Sequence, residues 1–154
     1  MARLRAGMGV WAAGGGSARS TGNPSLQLVE LSRNRRDVRR FVRFAYEIYR
    51  NDPFWVAPLE VDFLRVFQDA NPLFQHAEMA LWMAARNGRD VGRIAAIVDH
   101  HHNRYQNDHT AFFGFFECVD DPAVSNVLLD RVASWARARG LTMRSLHIPR
   151  CLLG

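Results

Sequence analysis

The sequence predicts an α/β fold of the α+β type, in which a mixed, largely antiparallel sheet is flanked by helices. Two strand patterns meet at an Asn-Gly turn, which is the strongest short signal for a β-hairpin. A third strand pattern follows, and an amphipathic helix then precedes one last strand, which predicts a crossover connection. With a strand and two helices at the start, the predicted order is strand, helix, short helix, three strands, helix, strand.

The first predicted elements are a strand and an amphipathic helix. Residues 25–31 form a short apolar segment that is typical of a strand. Asn34, followed three residues later by Asp37, has the pattern of a helix N-cap with an acid in the first turn. The apolar residues that follow share one stripe of a helix: Val38, Phe41, Val42, Ala45, Ile48 and Tyr49. Pro53 and the polar residues before it predict the end of this helix.

An aromatic segment and a shorter helix come next. Residues 54–56 lie between Pro53 and Pro58, and the two prolines favour an extended conformation. Residues 59–68 have a helical pattern, which stops near Asn71 and the proline that follows it.

Three strands form the predicted centre of the sheet. Residues 79–86 and 91–98 are the two strands joined at the Asn-Gly turn. Residues 111–119 carry four phenylalanines on both faces, as expected of a strand in the middle of a sheet. The polar stretch between residues 99 and 109 predicts a loop between the second and third of these strands.

A helix and a strand complete the predicted order. Asp121 is placed to cap the helix, and Pro122 suits its first position. The face that we expect to be buried consists of Val124, Val127, Leu128, Val132 and Trp135. Gly140 follows two arginines suited to a helix C-terminus and ends the helix. Residues 141–148 predict one more strand.

The composition excludes several kinds of chemistry. The 154 residues are one domain's worth of chain, and 48% of them are hydrophobic, as in ordinary globular proteins. All 20 cationic residues are arginine, so a phosphate-loop lysine, a lysine Schiff base and a lysine general base are excluded. No apolar run approaches the roughly 18 to 20 residues of a membrane-spanning helix. Cys118 and Cys151 match neither a metal nor a disulfide pattern, which favours a reduced, cytoplasmic location.

The distribution of charge indicates three segments. Residues 1–24 contain three arginines, no acid and a Gly-Gly-Gly-Ser stretch, and we expect them to form a flexible leader. Without those three arginines, 17 cationic residues stand against 15 acidic ones. This nearly balanced body, residues 25–148, is the predicted domain, and residues 149–154 are a tail. The balance argues against nucleic-acid binding.

Several motifs of this body resemble one family. They are residues 49–56 (Tyr-Arg-Asn-Asp-Pro-Phe-Trp-Val), 71–74 (Asn-Pro-Leu-Phe), 76–78 (His-Ala-Glu), 88–95 (Gly-Arg-Asp-Val-Gly-Arg-Ile-Ala), His102-Asn103 with Tyr105, and 112–117 (Phe-Phe-Gly-Phe-Phe-Glu). Together they resemble the GNAT fold of acyl-CoA-dependent N-acyltransferases, and within it a bacterial group that includes ceramide synthase-like proteins. The likeness runs from residue 25 to residue 141, which is most of the chain.

The resemblance implies an activity, its substrates and two catalytic residues. Acetyl-CoA or a long-chain acyl-CoA would donate the acyl group, and an amine would accept it. Glu117 resembles in position the catalytic carboxylate of several GNATs and would remove the ammonium proton of the amine. A structural ion pair between Glu117 and an arginine remains an equal alternative. Tyr105 would protonate the departing thiolate.

Two departures from the family limit what the resemblance implies. GNATs hold pyrophosphate at a glycine-rich turn before the helix that follows the fourth strand. Residues 118–122 here read Cys-Val-Asp-Asp-Pro, which adds two carboxylates and removes one N–H donor. Members of the group are also longer, and the residues after Thr142 leave the pattern. We therefore expect a truncated and inactive form, with a fold that is incomplete at the C-terminus.

The same departures leave a second function open. The alternative is a non-catalytic GNAT-like module that binds lipid or another protein. An incomplete sheet has an exposed edge, which predicts aggregation or a homodimer. Peripheral contact with a membrane also stays open.

Four further features each have a functional and a structural interpretation. Arginines on one side of the first helix suit phosphate contacts, although a solvated helix face is the simpler interpretation: Arg36, Arg39, Arg40 and Arg43. The histidine-rich stretch between residues 99 and 109 has no HExxH spacing and no cysteine partner, so no metal is expected. Cys118 is expected to be a buried structural thiol.

Aromatic residues before the hairpin would line an acyl slot or, more simply, pack in the core: Phe54, Trp55, Phe63, Phe67 and Phe74.

Overall fold

The computed structural model describes residues 26–145, so the predicted leader (1–24) and tail (149–154) lie outside the described residues. The elements in chain order are β1 (Leu26–Leu31), α1 (Arg35–Ile48), α2 (Glu60–Arg65), a 3₁₀ turn (Pro72–Gln75), β2 (Ala77–Arg86), β3 (Arg89–Asp99), α3 (His100–Gln106), β4 (Thr110–Cys118), α4 (Pro122–Arg137) and β5 (Thr142–Ser145).

The five strands form one sheet whose spatial order is the chain order, β1-β2-β3-β4-β5. The first four strands are antiparallel to their neighbours, and β5 is parallel to β4, from Thr110 beside Thr142 to Phe113 beside Ser145. The parallel pair is possible because α4 returns the chain across the sheet. The mixed, largely antiparallel sheet and the crossover helix are confirmed.

Local signals place the first helices and the hairpin. The side chain of Asn34 accepts a hydrogen bond from the Asp37 N–H at 2.9 Å and caps α1, as predicted. Asn87 and Gly88 both have positive φ (52° and 75°), which a two-residue hairpin turn between β2 and β3 requires. The second helix is shorter than predicted, because from Val66 onward the backbone N–H groups bond three residues back rather than four.

The sheet packs on helices at both faces. On one face, α1 and α2 cover a core that contains Phe41, Val42, Phe63, Phe67, Leu81, Met83 and Ala95. On the other face, α4 covers a core that contains Trp82, Ile94, Ala96, Val124, Leu128 and Val132. Gly92 lies under α4, where a Cβ would stand only 2.8 Å from Leu128 Cδ1. The missing side chain therefore lets α4 approach β3 closely.

The stretch predicted to be a loop between residues 99 and 109 is a helix, α3. Asp99 caps it, because its Oδ1 accepts hydrogen bonds from the N–H groups of His101 and His102 at 2.9 and 3.0 Å. Asn107 ends it in the left-handed conformation, with φ 51°. The last predicted strand is present as β5 over Thr142–Ser145, and residues 146–148 of that prediction lie outside the described residues. Among the helices between residues 26 and 145, none has the length and apolar character needed to span a membrane.

Candidate active site

A β-bulge in β4 shapes the candidate site. Ala95 of β3 lies opposite Gly114, but Arg93, two residues earlier, lies opposite Glu117, three residues later in β4. One extra residue is therefore inserted in β4. Phe115, inside this insertion, has φ 51°, a conformation that bulky residues rarely adopt and that is typical of strained functional segments.

The bulge decides which face of the sheet Glu117 occupies. Before the bulge, Ala111 and Phe113 pack in the core under α4. Strict alternation would place Phe115 and Glu117 on that same face. The extra residue turns both to the opposite face, where Phe115 packs against the core under α1 and Glu117 meets Arg93. The position of Glu117 thus depends on one inserted residue.

Glu117 forms an ion pair with a buried arginine. Arg93 is 1% exposed, and its Nε donates to Glu117 Oε2 at 2.5 Å. Its Nη1 donates to the carbonyl oxygen of Phe41 at 2.5 Å. The guanidinium also lies over the rings of Phe41, Phe63 and Phe115, at 4.8, 5.5 and 5.9 Å from their centroids. A buried charge requires such compensation, and Glu117 supplies the negative charge. The ion pair with an arginine that was one alternative for Glu117 is therefore present.

Tyr49 lies close enough to this pair to sense its charge. The phenol is half-buried, and burial raises the pKa of Tyr49 above its usual value. The negative charge of Glu117 raises this pKa further, whereas the positive charge of Arg93 opposes the change. The ring stacks on Trp55 with centroids 5.2 Å apart. At neutral pH Tyr49 is therefore a protonated phenol.

Cys118 follows Glu117 on the opposite face. Burial raises the pKa of its thiol, and the carboxylates of Asp120 and Asp121 raise it further. A thiol with a raised pKa is a poor nucleophile at neutral pH. Its packing against the core under α4 agrees with the structural role expected for Cys118.

The N-terminus of α4 is closed to a phosphate. Pro122 has no N–H, and the Ala123 N–H donates to Asp121 Oδ1 at 2.8 Å. The next two N–H groups, of Val124 and Ser125, donate to the Asp121 carbonyl. Arg86 pairs with the Asp121 carboxylate at 2.7 Å and, as the largest cause, lowers its pKa. The first turn of α4 therefore keeps no free donor, and its residues do not fit a pyrophosphate group.

Tyr105 lies at the other end of β4. It is on α3 and 88% exposed. Since α3 leads into Thr110, at the start of β4, about 23 Å of extended strand separates that end from Glu117. The described residues therefore do not bring Tyr105 and Glu117 together in one site.

Between residues 26 and 145, histidine side chains lie beside carboxylates and against one another. His76 Nδ1 lies 3.0 Å from Asp99 Oδ1, and its ring stacks on His101 at 4.4 Å. His100 Nε2 lies 2.9 Å from Glu78. Burial tends to raise the pKa of Asp99, but the His102 N–H and the His76 ring together hold it below its ordinary value. Within residues 26–145 no three histidine, cysteine or carboxylate side chains are arranged to hold a metal ion.

The arginine face of α1 is only partly solvated. Arg40 makes two hydrogen bonds to the carboxylate of Asp90, at 2.9 and 2.5 Å. Arg39 and Arg43 share Glu60, at 3.4 and 3.3 Å. These acids were not assigned as partners from the sequence, because they lie in other elements.

The aromatic residues predicted to line a slot or a core do not share one environment. Phe63 and Phe67 are 5% and 1% exposed and belong to the core under α1. Trp55 is half-buried against Tyr46, whereas Phe54 is 86% exposed. Core packing explains Phe63 and Phe67, whereas the exposed Phe54 requires another explanation.

Sequence reasoning missed Arg93, Tyr49 and the bulge at Phe115. A signal for Arg93 was present, since it is the one charge between the apolar residues Val91 and Ile94, and a charge inside an apolar strand needs a partner. The partner itself depends on cross-strand register, which the bulge changes.

The five-stranded, largely antiparallel sheet with helices on both faces matches the GNAT fold. A tandem GNAT protein from the clavulanic acid biosynthesis pathway superimposes with a TM-score of 0.57 and 17% identity, covering 74% of this chain and 34% of that chain. An aminoglycoside acetyltransferase from an uncultured soil metagenomic sample, solved with sisomicin, gives a TM-score of 0.56 and 12% identity, covering 82% and 80%. At these identities the likeness establishes the fold.

Sequence similarity points to the group that the motifs indicated. The chain is 38% identical over 108 residues to bacterial ceramide synthase of Caulobacter vibrioides, a match covering 69% of this chain and 28% of the relative. It is 33% identical over 114 residues to protein YghO of Escherichia coli, covering 73% and 29%. The chain thus spans less than a third of the length of the curated relatives it matches. No protein-family model matches it.

Proposed function

We propose that this chain takes part in N-acyl transfer from an acyl-CoA to an amine. The observation that carries the proposal is the 38% identity to bacterial ceramide synthase over 108 residues, on a chain with the GNAT fold. The acyl donor is acetyl-CoA or a long-chain acyl-CoA, and we place the reaction in the cytoplasm, as the cysteine usage predicted.

In this proposal Glu117 is the general base. Within the described residues only its Oε2 accepts a hydrogen bond, from Arg93, so Oε1 is the oxygen that takes the ammonium proton. The neutral amine nitrogen then attacks the thioester carbonyl carbon, a C–N bond forms and the C–S bond breaks. The nitrogen gives up its second proton as the amide forms, and that proton restores the phenol that protonates the thiolate. The departing thiolate takes a proton, for which the phenol of Tyr49 is better placed than Tyr105, because Tyr49 lies on the Glu117 side of the sheet. Arg93 holds the carboxylate in place.

The alternative is a GNAT-like module without catalysis. The specific observation in its favour is the closed N-terminus of α4, where Asp121 and Pro122 remove every donor of the first turn that a pyrophosphate would use. A protein of this kind would bind neither CoA nor acyl-CoA at that helix, and Glu117 would serve only to balance the charge of Arg93.

Calorimetry with CoA and a thiol-release assay separate the two proposals. The full chain is titrated with CoA, then assayed with acetyl-CoA and a long-chain acyl-CoA against long-chain amines. The transferase proposal expects binding and thiol release, and a loss of at least about 100-fold in rate for Glu117→Asp, which keeps the charge but moves the carboxylate. Glu78→Gln removes an exposed acid at the other end of the sheet and is the matched control. Absence of CoA binding would refute the transferase and favour the non-catalytic module.

The predicted homodimer is a separate proposal, checked by sedimentation of the same samples.

A further inference from the structure

The connection between α1 and α2 presents apolar side chains to solvent. Six large hydrophobic residues are exposed within the described residues, and four of them lie on this short segment: Phe54 (86%), Val56 (76%), Leu59 (70%) and Val61 (55%). Isolated exposed hydrophobic residues are common, but a cluster on one segment marks an interaction surface. We call residues 54–61 the apolar segment.

Contacts with α1 hold the backbone of the apolar segment in the conformation that exposes these side chains. Trp55 turns inward, with its ring packed edge-on against Tyr46 and stacked on Tyr49. The Tyr46 hydroxyl donates to the Pro58 carbonyl at 2.6 Å. At the start of the segment, Asp52 accepts a hydrogen bond from the Phe54 N–H. These contacts keep Trp55 packed against α1, while its neighbours Phe54 and Val56 face solvent.

Arginines of α1 border the apolar segment. Arg39 and Arg43 reach Glu60 within the segment, so they lie along its edge and neutralise its single acid. Arg50 is exposed just after the end of α1, four residues before Phe54. Of the six arginines in residues 35–61, Arg40 pairs with Asp90 of β3, and the other five stand against four acids. The border of the segment is therefore cationic.

We propose that the apolar segment docks on a bilayer that contains anionic lipid. Phe54, Val56 and Leu59 would enter the acyl boundary, and the bordering arginines would meet lipid phosphates. A protein partner would need an apolar cavity that also offers carboxylates to this cationic border, whereas an anionic bilayer supplies both features without a specific shape. This inference does not depend on the proposed transferase activity.

Vesicle co-sedimentation of the full chain tests the proposal. We expect binding to phosphatidylcholine vesicles with about one third phosphatidylglycerol, weaker binding to pure phosphatidylcholine, and a decrease with added salt. The double variant Phe54→Ser/Leu59→Ser should bind anionic vesicles at least about tenfold more weakly, because two apolar side chains no longer leave water. Tyr105→Ser is the matched control, since it removes an equally exposed aromatic residue on α3 and should bind like the parent.

Charge variants and sedimentation complete the test. Arg50→Gln should weaken binding to anionic vesicles about fivefold and leave binding to neutral vesicles unchanged. Arg137→Gln, an exposed arginine on α4, should have no effect on either. Equal binding by the parent and the Phe54→Ser/Leu59→Ser variant overturns the proposal. The proposal is also overturned if the parent does not bind vesicles but forms an oligomer, and the Phe54→Ser/Leu59→Ser variant is monomeric. That result would identify the apolar segment as a protein contact. Circular dichroism checks that each variant remains folded.

Discussion

The ion pair between Arg93 and Glu117 leads to a prediction about stability. Glu117→Gln removes the negative charge and leaves a guanidinium that is 1% exposed without its counter-charge. Breaking a buried pair from one side costs about 3–5 kcal/mol. Arg93 keeps the Phe41 carbonyl and the three rings, and the Glu117 side chain is 18% exposed, so the loss should fall at or just below the lower end of this range. We expect a loss of about 2–3 kcal/mol in the free energy of unfolding.

Urea denaturation measures this loss. For a domain of this size the dependence on urea is about 1–2 kcal/mol per molar, so the midpoint should fall by roughly 1.5 M. Glu30→Gln is the control, because Glu30 pairs with Arg131 at 2.7 Å but both side chains are largely exposed, at 56% and 40%. An exposed pair contributes less than about 1 kcal/mol. The difference between the two variants isolates the effect of burial.

A double-mutant cycle identifies the partner. Arg93→Met removes the buried charge, so adding Glu117→Gln to it should cost less than Glu117→Gln does alone, with a coupling of at least about 1 kcal/mol. Additive losses, or a midpoint for Glu117→Gln within about 0.3 M of the parent, would show that Glu117 does not balance Arg93. In that case the bulge in β4 would not serve to bring a charge-balancing pair together.

Three further predictions concern packing, pH and capping. Gly92→Ala should cost about 1–3 kcal/mol in urea denaturation, and less in a Leu128→Ala background, because the new Cβ would stand 2.8 Å from Leu128 Cδ1. The pKa of Asp99 is lowered in the folded state, so its contribution to stability is present above its ordinary pKa and is lost as pH falls through the folded value. Asp99→Asn, which still caps α3, should therefore lose less stability between pH 6 and pH 3 than the parent does in thermal melts. Asn34→Ala should cost about 1 kcal/mol in urea denaturation and Asn34→Ser almost nothing, because serine can also accept the Asp37 N–H.

Elements specified by neighbouring residues could be predicted from the sequence. The Asn-Gly turn fixed the β2–β3 hairpin, and Asn34 and Asp121 marked the starts of α1 and α4, because turns and caps depend on a few adjacent residues. The helix α3 had similar signals, with Asp99 before it and Asn107 after it, but the polar character of residues 99–109 led to the prediction of a loop. The caps were the better guide.

The candidate site could not be predicted in the same way. Glu117 was identified by its strand position, but its partner Arg93 lies 24 residues away, in another strand. Their meeting requires the cross-strand register, and that register changes at the bulge. Gly114, an isolated glycine inside the strand, was a signal for a bulge, but the left-handed conformation falls on the next residue, Phe115, which is not a glycine. Long-range register is set by the packing of the whole sheet, which a single sequence does not state.

The strands follow the same order in the sheet as in the chain. This order affects how the sheet assembles during synthesis. The β2–β3 hairpin can close on its two-residue turn within microseconds, and it offers an edge to β1, which is already made, and to β4, which follows directly. Only β5 must wait, because its parallel pairing needs α4 to cross the sheet first. We therefore expect ordering to spread outward from the hairpin and to finish at β5, and pulsed hydrogen exchange during refolding would record that sequence as protection of β3 amides before those of β5.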